Sequence, residues 1–370
     1  MIELILSLIF IFLLFGLIII YYCKNKVITA QSAWLIFFVC VFSPFFLNFI
    51  LNFDNFYDLR LYLYNIKSIR SLDFSLLHDS IPVYFFSWVI SALPFPTVIE
   101  AITLQFFIKF LFLVFILYLL KKKIILDKSF IFYFLLFSPS ILVYSSLLLR
   151  DILNFIIVFF ILYNLSNRKY LKFLLFNLIL LFLKKELSLI FFFIGFLYFI
   201  IFEIKKKKIF IVSGLFLLFF FNYKSVLEII NFHRFNLYFE SVDGNQDLLN
   251  NYKPLKINLD IFYQVFYSNI NFILSPLMNL FDNFNINKLI IFFEIIFIYA
   301  YLGYLFFKKK LTFKKIFFII SLFLVFFIYA LVTFNDGTIS RWRISFILPY
   351  VVLINYLTNT LRGKKKTIKK

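Results

Sequence analysis

Two charged knots interrupt the apolar sequence in its first half. Arg150-Asp151 stands within SPSILVYSSLLLRDILNFIIVFFILYNL (Ser138 to Leu165), and Lys184-Lys185-Glu186 within FLLFNLILLFLKKELSLIFFFIGFLYFIIF (Phe173 to Phe202). Each run is too long for one bilayer crossing and short for two. Ile152 to Leu165 gives about 21 Å of helix against a hydrocarbon core of about 30 Å. The knots therefore read as tips of short hairpins that stop inside the membrane profile and line an outward-opening cavity. A charge at that depth costs about 3 kcal/mol or more unless it meets a partner or water. Arg150 suits an anionic substrate group, and Asp151 suits orientation or proton transfer. Lys184 and Lys185 add positive charge at similar depth. The structural alternatives are a mutually neutralising Arg150–Asp151 pair and a Lys184–Glu186 loop that snorkels outward.

Other residues could contribute. Asn335-Asp-Gly-Thr-Ile-Ser-Arg-Trp-Arg343 is a compact loop in which Gly337 permits the turn. It sets Arg341 and Arg343 at a helix N-terminus, where cations are unfavourable unless an anion is bound. Free N–H groups and two guanidinium groups would make a phosphate site there; the alternative is a pair of interface anchors beside Trp342. Asp54 and Asp58 are one helical turn apart and could take a proton from a hydroxyl as general base, or be solvated loop acids. His78-Asp79 is a weaker candidate, and His233-Arg234 reads as structural. Lys109 and Glu294 both fall about 20 Å above the inner ends of their spans, which predicts a structural ion pair. Cys23, Cys40 and two histidines make neither a disulfide nor a metal centre. No phosphate-binding glycine loop or dinucleotide fingerprint occurs, so no cofactor and no metal are expected.

The elements that must position these groups are helices. The 370 residues are 64% hydrophobic, which excludes a soluble domain. The Phe content follows from AT-rich coding bias and carries no functional weight. The net charge of +20 is confined to six basic clusters beside apolar runs: Lys24/Lys26, Lys121–Lys128, Arg168–Lys172, Lys205–Lys208, Lys308–Lys315 and Arg362–Lys370. That is positive-inside asymmetry, and it points to no nucleic acid. The expectation is an all-α polytopic integral membrane protein of about eleven transmembrane helices (ten to twelve), N-terminus outside and C-terminus cytoplasmic. The spans are Ile2–Tyr22, Thr29–Ile50, Thr97–Leu120, Ser129–Leu149, Ile152–Leu165, Tyr170–Leu183, Leu187–Phe202, Ile209–Tyr223, Leu289–Phe307, Ile316–Phe334 and Ile344–Leu361. Residues 1–370 form one membrane domain. Residues 52–96 are an outer segment holding a half-helix at Pro82–Leu93. Residues 224–288 are a large outer loop with an interfacial helix, and 362–370 are a basic tail.

The layout resembles a family. D-x-x-x-Y (Asp58 to Tyr62), P-S-x-x-x-Y-S-S-x-x-x-R-D (Pro139 to Asp151) and N-D-G-T-x-x-R-x-R (Asn335 to Arg343) resemble the oligosaccharide repeat-unit polymerases of the O-antigen and capsule type (Wzy-like). More distantly, the chain is similar to GT-C-type membrane glycosyltransferases. The resemblance implies undecaprenyl-diphosphate-linked glycans as donor and acceptor and metal-independent glycosyl transfer. It places the chemistry at the outer face of a bacterial cytoplasmic membrane, with a chain-length regulator and a flippase as partners. It makes Arg150, Arg341 and Arg343, assisted by Lys184 or Lys185, the diphosphate contacts, and Asp54, Asp58 or Asp151 the base. Tyr238, Tyr252, Tyr263 and Tyr267 would stack on sugar rings or form an interfacial belt. A polyprenyl-phosphate-dependent single-sugar transferase shares nearly every feature. A lipid-linked glycan flippase should instead carry cavity charges in both membrane halves.

Overall fold

The computed structural model describes residues 2–50, 57–73, 81–93, 98–147, 150–204, 223–241, 252, 254–255, 260–274, 286–308, 312–332 and 342–367, all of it helix, turn or loop. The chain divides into two compact units, Met1–Leu189 with Ile344–Lys370, and Ile190–Arg343. The expected span Ile209–Tyr223 falls almost wholly outside the described residues.

In the first unit, α1 (Ile2–Lys24) buries only Ser7, Ile11, Phe15 and Ile19. That four-residue stripe packs on α2 (Ala30–Ile50) and α5 (Ala101–Lys121). α1 also exposes Ile2, Ile5, Leu6, Ile9, Leu13 and Leu17, which is tolerable only in contact with lipid. Between α2 and α5 lie α3 (Tyr57–Arg70) and α4 (Ile81–Ser91), packed on each other. α4 is 11 residues long and overlaps the Pro82–Leu93 segment. Lys67 and Glu100 make an exposed ion pair at 3.4 Å, worth at most about 1 kcal/mol.

The expected span Ser129–Leu149 is instead broken into α6 (Phe130–Phe137) and α7 (Pro139–Tyr144). Pro139 has no N–H to continue α6, and it begins α7 at the first helical position. The Ser138 hydroxyl accepts from Ile141 N at 3.4 Å and caps the new helix. Beyond it, α8 (Asp151–Ser166) and α9 (Tyr170–Leu183) form a tight hairpin. Its turn places Arg168 at φ 58° and is closed by Lys169 N donating to Asn164 O at 2.9 Å. Twelve of the sixteen residues of α8 are buried, making it the central helix of the unit. It is flanked by α5 through Phe115–Phe155 (5.4 Å) and by α9 through stacked Phe160–Phe176 (5.0 Å).

The last helix opens with a π-helical turn, Arg343–Ile347, and continues as α15 (Leu348–Thr367). Pro349 explains the turn. It cannot donate to the carbonyl of Ser345, and its ring crowds that carbonyl, so the backbone widens one turn earlier. Tyr356 of α15 meets Tyr163 of α8 at 5.5 Å.

The second unit contains most of α10 (Lys185–Phe202), then α11 (Tyr223–Ser241), α12 (Asp260–Leu274), α13 (Ile286–Phe307) and α14 (Phe313–Val332). Buried Tyr198 of α10 packs on Phe317 and Phe318 of α14. α12 coincides with the helix expected in the 224–288 loop. Buried Lys315 of α14 donates to the carbonyl of Leu305 in the last turn of α13. Although it belongs to a basic cluster, Lys315 serves as a C-terminal cap. Six described helices are long and apolar enough to cross a membrane, and α8, α9 and residues 344–359 are shorter apolar helices. The chain is a helical, multi-pass membrane protein.

Candidate active site at the meeting of three helix ends

The two charged knots lie together. Arg150 precedes α8, and its Nη1 donates to the carbonyl of Leu183 at 3.1 Å. Leu183 is the last residue of α9, so that carbonyl has no intrahelical donor. Lys184 and Lys185 follow at once, the first half-buried and the second exposed beside exposed Glu186. The Lys184 turn is held from below by a reciprocal clamp. Ser188 Oγ donates to Asn177 O at 2.9 Å, and Asn177 Nδ2 donates to Ser188 O at 3.2 Å.

Asp151 occupies the first turn of α8 and is 3% exposed. Its Oδ1 accepts from Ser345 Oγ at 3.4 Å, which joins α8 to the π turn of the last helix. Free N–H groups at the N-terminus of α8 favour a carboxylate there. Among the described residues, Arg150 donates to the Leu183 carbonyl and Asp151 accepts from Ser345.

One turn further along α8, Asn154 is fully buried. Neither its Nδ2 nor its Oδ1 has a hydrogen-bond partner among the described residues. An unpaired buried amide costs about 1–3 kcal/mol. Sequence reasoning missed Asn154 and Ser345. The available signals were the three-residue spacing from Asp151, which puts both side chains on one helical stripe, and Pro349 four residues after Ser345.

The remaining candidates are placed as follows. Asp54, His78, Asp79 and Arg341 lie outside the described residues. The backbone puts Asp58 in the first turn of α3 and Arg343 at the start of the π turn, two residues before Ser345. Lys109, expected to pair with Glu294, is fully buried in α5 and donates to Ser145 Oγ at 2.7 Å. Glu294 is buried in the second unit.

The four tyrosines fall into two pairs in the second unit. Tyr238 and Tyr252 lie 5.6 Å apart, and Tyr263 and Tyr267 stack 6.2 Å apart on the exposed side of α12. Tyr252 donates to Asn231 O at 3.0 Å, while the Asn231 amide bonds both N and O of Leu255. That network fixes Tyr252 and Leu255 on α11. Arg234 is structural, as expected, and donates to Leu331 O at the end of α14 at 2.7 Å. Burial pulls its guanidinium below the ordinary arginine range, and the Tyr252 phenol opposes that shift.

Chemically, the meeting of α8, α9 and the π turn offers a half-buried guanidinium with donors to spare. Beside it are an ammonium-bearing turn, a buried carboxylate held by a hydroxyl, and an unsatisfied amide. This set can bind an anion and, alongside it, take a proton from a hydroxyl. No family model, no curated protein and no solved structure matches this chain.

Proposed function

We propose that this chain is a metal-independent membrane glycosyltransferase that polymerises undecaprenyl-diphosphate-linked oligosaccharide repeat units at the outer face of a bacterial cytoplasmic membrane. In this reading the chain crosses the membrane about eleven times, with the N-terminus outside. The observation that carries the reading is the convergence of Arg150, the Lys184–Lys185 turn, Asp151 and Asn154, two cationic groups beside a buried acid and a free amide.

The reaction joins an acceptor hydroxyl oxygen to the anomeric carbon of the donor glycan. The bond from that carbon to the diphosphate breaks, and its electron pair leaves on the diphosphate. Arg150, Lys184 and Lys185 stabilise the charge growing there, the kind of preorganised contact worth about 3–4 kcal/mol per group. Asp151 receives the proton of the hydroxyl. Its carboxylate is buried and oriented by Ser345. Asn154 has an amide donor and acceptor free to hold that hydroxyl.

The test is complementation. The native locus is deleted in its own host, and wild type or Arg150→Ala is restored at matched membrane levels. Surface glycan is then resolved on a gel. Collapse of the ladder to a single-repeat band with Arg150→Ala supports polymerisation at this site. An intact ladder after deletion of the whole gene overturns it in favour of single-sugar transfer.

A further inference from the structure

Lys109 is a buried charge that the polymerisation reading does not use. Lys109 sits on α5 at 1% exposure. Its Nζ donates to Ser145 Oγ at 2.7 Å and lies 5.9 Å from the Phe112 ring centroid. Ser146, the next residue, shares a hydrogen bond with Ser43 of α2 across 3.3 Å. Cys40, one turn before Ser43, is within electrostatic reach of the amine, and Pro44 has no N–H for the carbonyl of Cys40. Three chain segments thus bring an ammonium, three hydroxyls and a thiol to one buried place.

The donors there outnumber what they bond. An ammonium has three N–H groups, and one is used. Among the described residues of the first unit, no carboxylate lies within ion-pair distance of Lys109. A buried cation without a counter-charge is costly, and an anion arriving from elsewhere would remove that cost.

We propose that Lys109, Ser145, Ser146 and Ser43 form a binding site for a phosphate group. A tetrahedral oxyanion offers several acceptors in different directions, matching hydroxyl donors from α2 and from the end of α7 together with the point charge of a lysine. Two sources share this chemistry: a lipid-borne phosphate or diphosphate reaching the bundle from the bilayer, and free phosphate or pyrophosphate. The inference does not depend on the polymerisation reading, since its test reads binding rather than transfer.

The experiment uses the full chain in nanodiscs of neutral lipid. The probes are inorganic phosphate, inorganic pyrophosphate and farnesyl diphosphate, titrated while the thermal unfolding midpoint is followed. Wild type gains midpoint with at least one probe. Lys109→Met, close in volume and uncharged, weakens that probe tenfold or more while its probe-free midpoint equals or exceeds wild type, because the uncompensated charge is gone. Ser145→Ala weakens binding several-fold. A farnesyl diphosphate affinity well above that of pyrophosphate identifies a lipid source, and equal affinities identify the free anion. Unchanged affinity in Lys109→Met overturns the proposal. So does recovery of wild-type stability by Lys109→Glu combined with Glu294→Lys where each single change lowers it, which would make Lys109 half of a structural ion pair.

Discussion

The Arg150 guanidinium reaches 33 residues along the chain to the carbonyl of Leu183, at 3.1 Å, and so ties the entry of α8 to the exit of α9. The same device recurs: Arg70 donates to Leu93 O, Arg234 to Leu331 O and Lys315 to Leu305 O. Long basic side chains thus satisfy carbonyls at or beyond helix ends in a chain with only seven Gly. What distinguishes Arg150 is its company of Lys184, Asp151 and Asn154. Arg150→Lys can keep a bond to the Leu183 carbonyl but loses the planar fork. The expected result is near wild-type thermal stability with glycan polymerisation reduced tenfold or more. A fully active Arg150→Lys would assign Arg150 to capping alone.

Asp151→Asn keeps the shape of the side chain and a hydrogen bond with Ser345, but cannot accept a proton. Polymerisation should fall by about a hundredfold or more, while the unfolding midpoint of the purified chain stays close to wild type. Ser345→Ala removes the orienting hydroxyl. It should lower activity less, at a stability cost of about 1 kcal/mol. Equal losses in the two variants would mean that the carboxylate only holds the helices together.

Asn154→Leu replaces an unsatisfied buried amide with an apolar group of similar volume. Stability should rise by about 1 kcal/mol or more, since the desolvation penalty disappears, and polymerisation should fall. Chemical denaturation in detergent reads the first effect, and the glycan ladder reads the second. Loss of stability would show that Asn154 is satisfied in the native membrane state.

Asn177 and Ser188 bond each other reciprocally between α9 and α10. Asn177→Ala and Ser188→Ala should each cost about 1–2 kcal/mol, and the double variant should cost clearly less than the sum, with a coupling of about 1 kcal/mol. Strict additivity in a double-mutant cycle would place the two residues in separate environments.

Arg168 holds φ 58° in the α8–α9 turn, and Lys123 holds φ 54° after α5. A left-handed conformation costs a residue with a Cβ about 1–2 kcal/mol. The attraction of a cation to the helix C-terminus returns about 0.3–1 kcal/mol of that. Arg168→Gly or Lys123→Gly should therefore be neutral to stabilising by about 1 kcal/mol in denaturant titration.

Helix existence and most helix ends follow from local chemistry, and they are legible along the chain. Tyr170–Leu183 ends where Lys184 begins the charged turn, and α13 ends at Phe307 before Lys308. The short lengths of α8 and α9 beside the two knots likewise follow from counting residues between charges. The α6–α7 break was legible in Ser138-Pro139, a cap followed by a residue that cannot continue a helix, yet the apolar run hid it.

Which faces meet was decided only by the tertiary structure. A soluble helix announces its buried face by alternating polar and apolar residues. In a bilayer the outward face is as apolar as the inward one, so α5 and α8 carry no stripe that points anywhere. Lys109 read along the chain only as a partner for Glu294, while the hydrogen bond of its amine to Ser145 comes from packing. Asn154 is one asparagine in a chain rich in them until burial leaves its amide without a partner. The carbonyl of Leu183 belongs to every sequence alike. Only the fold puts a guanidinium on it.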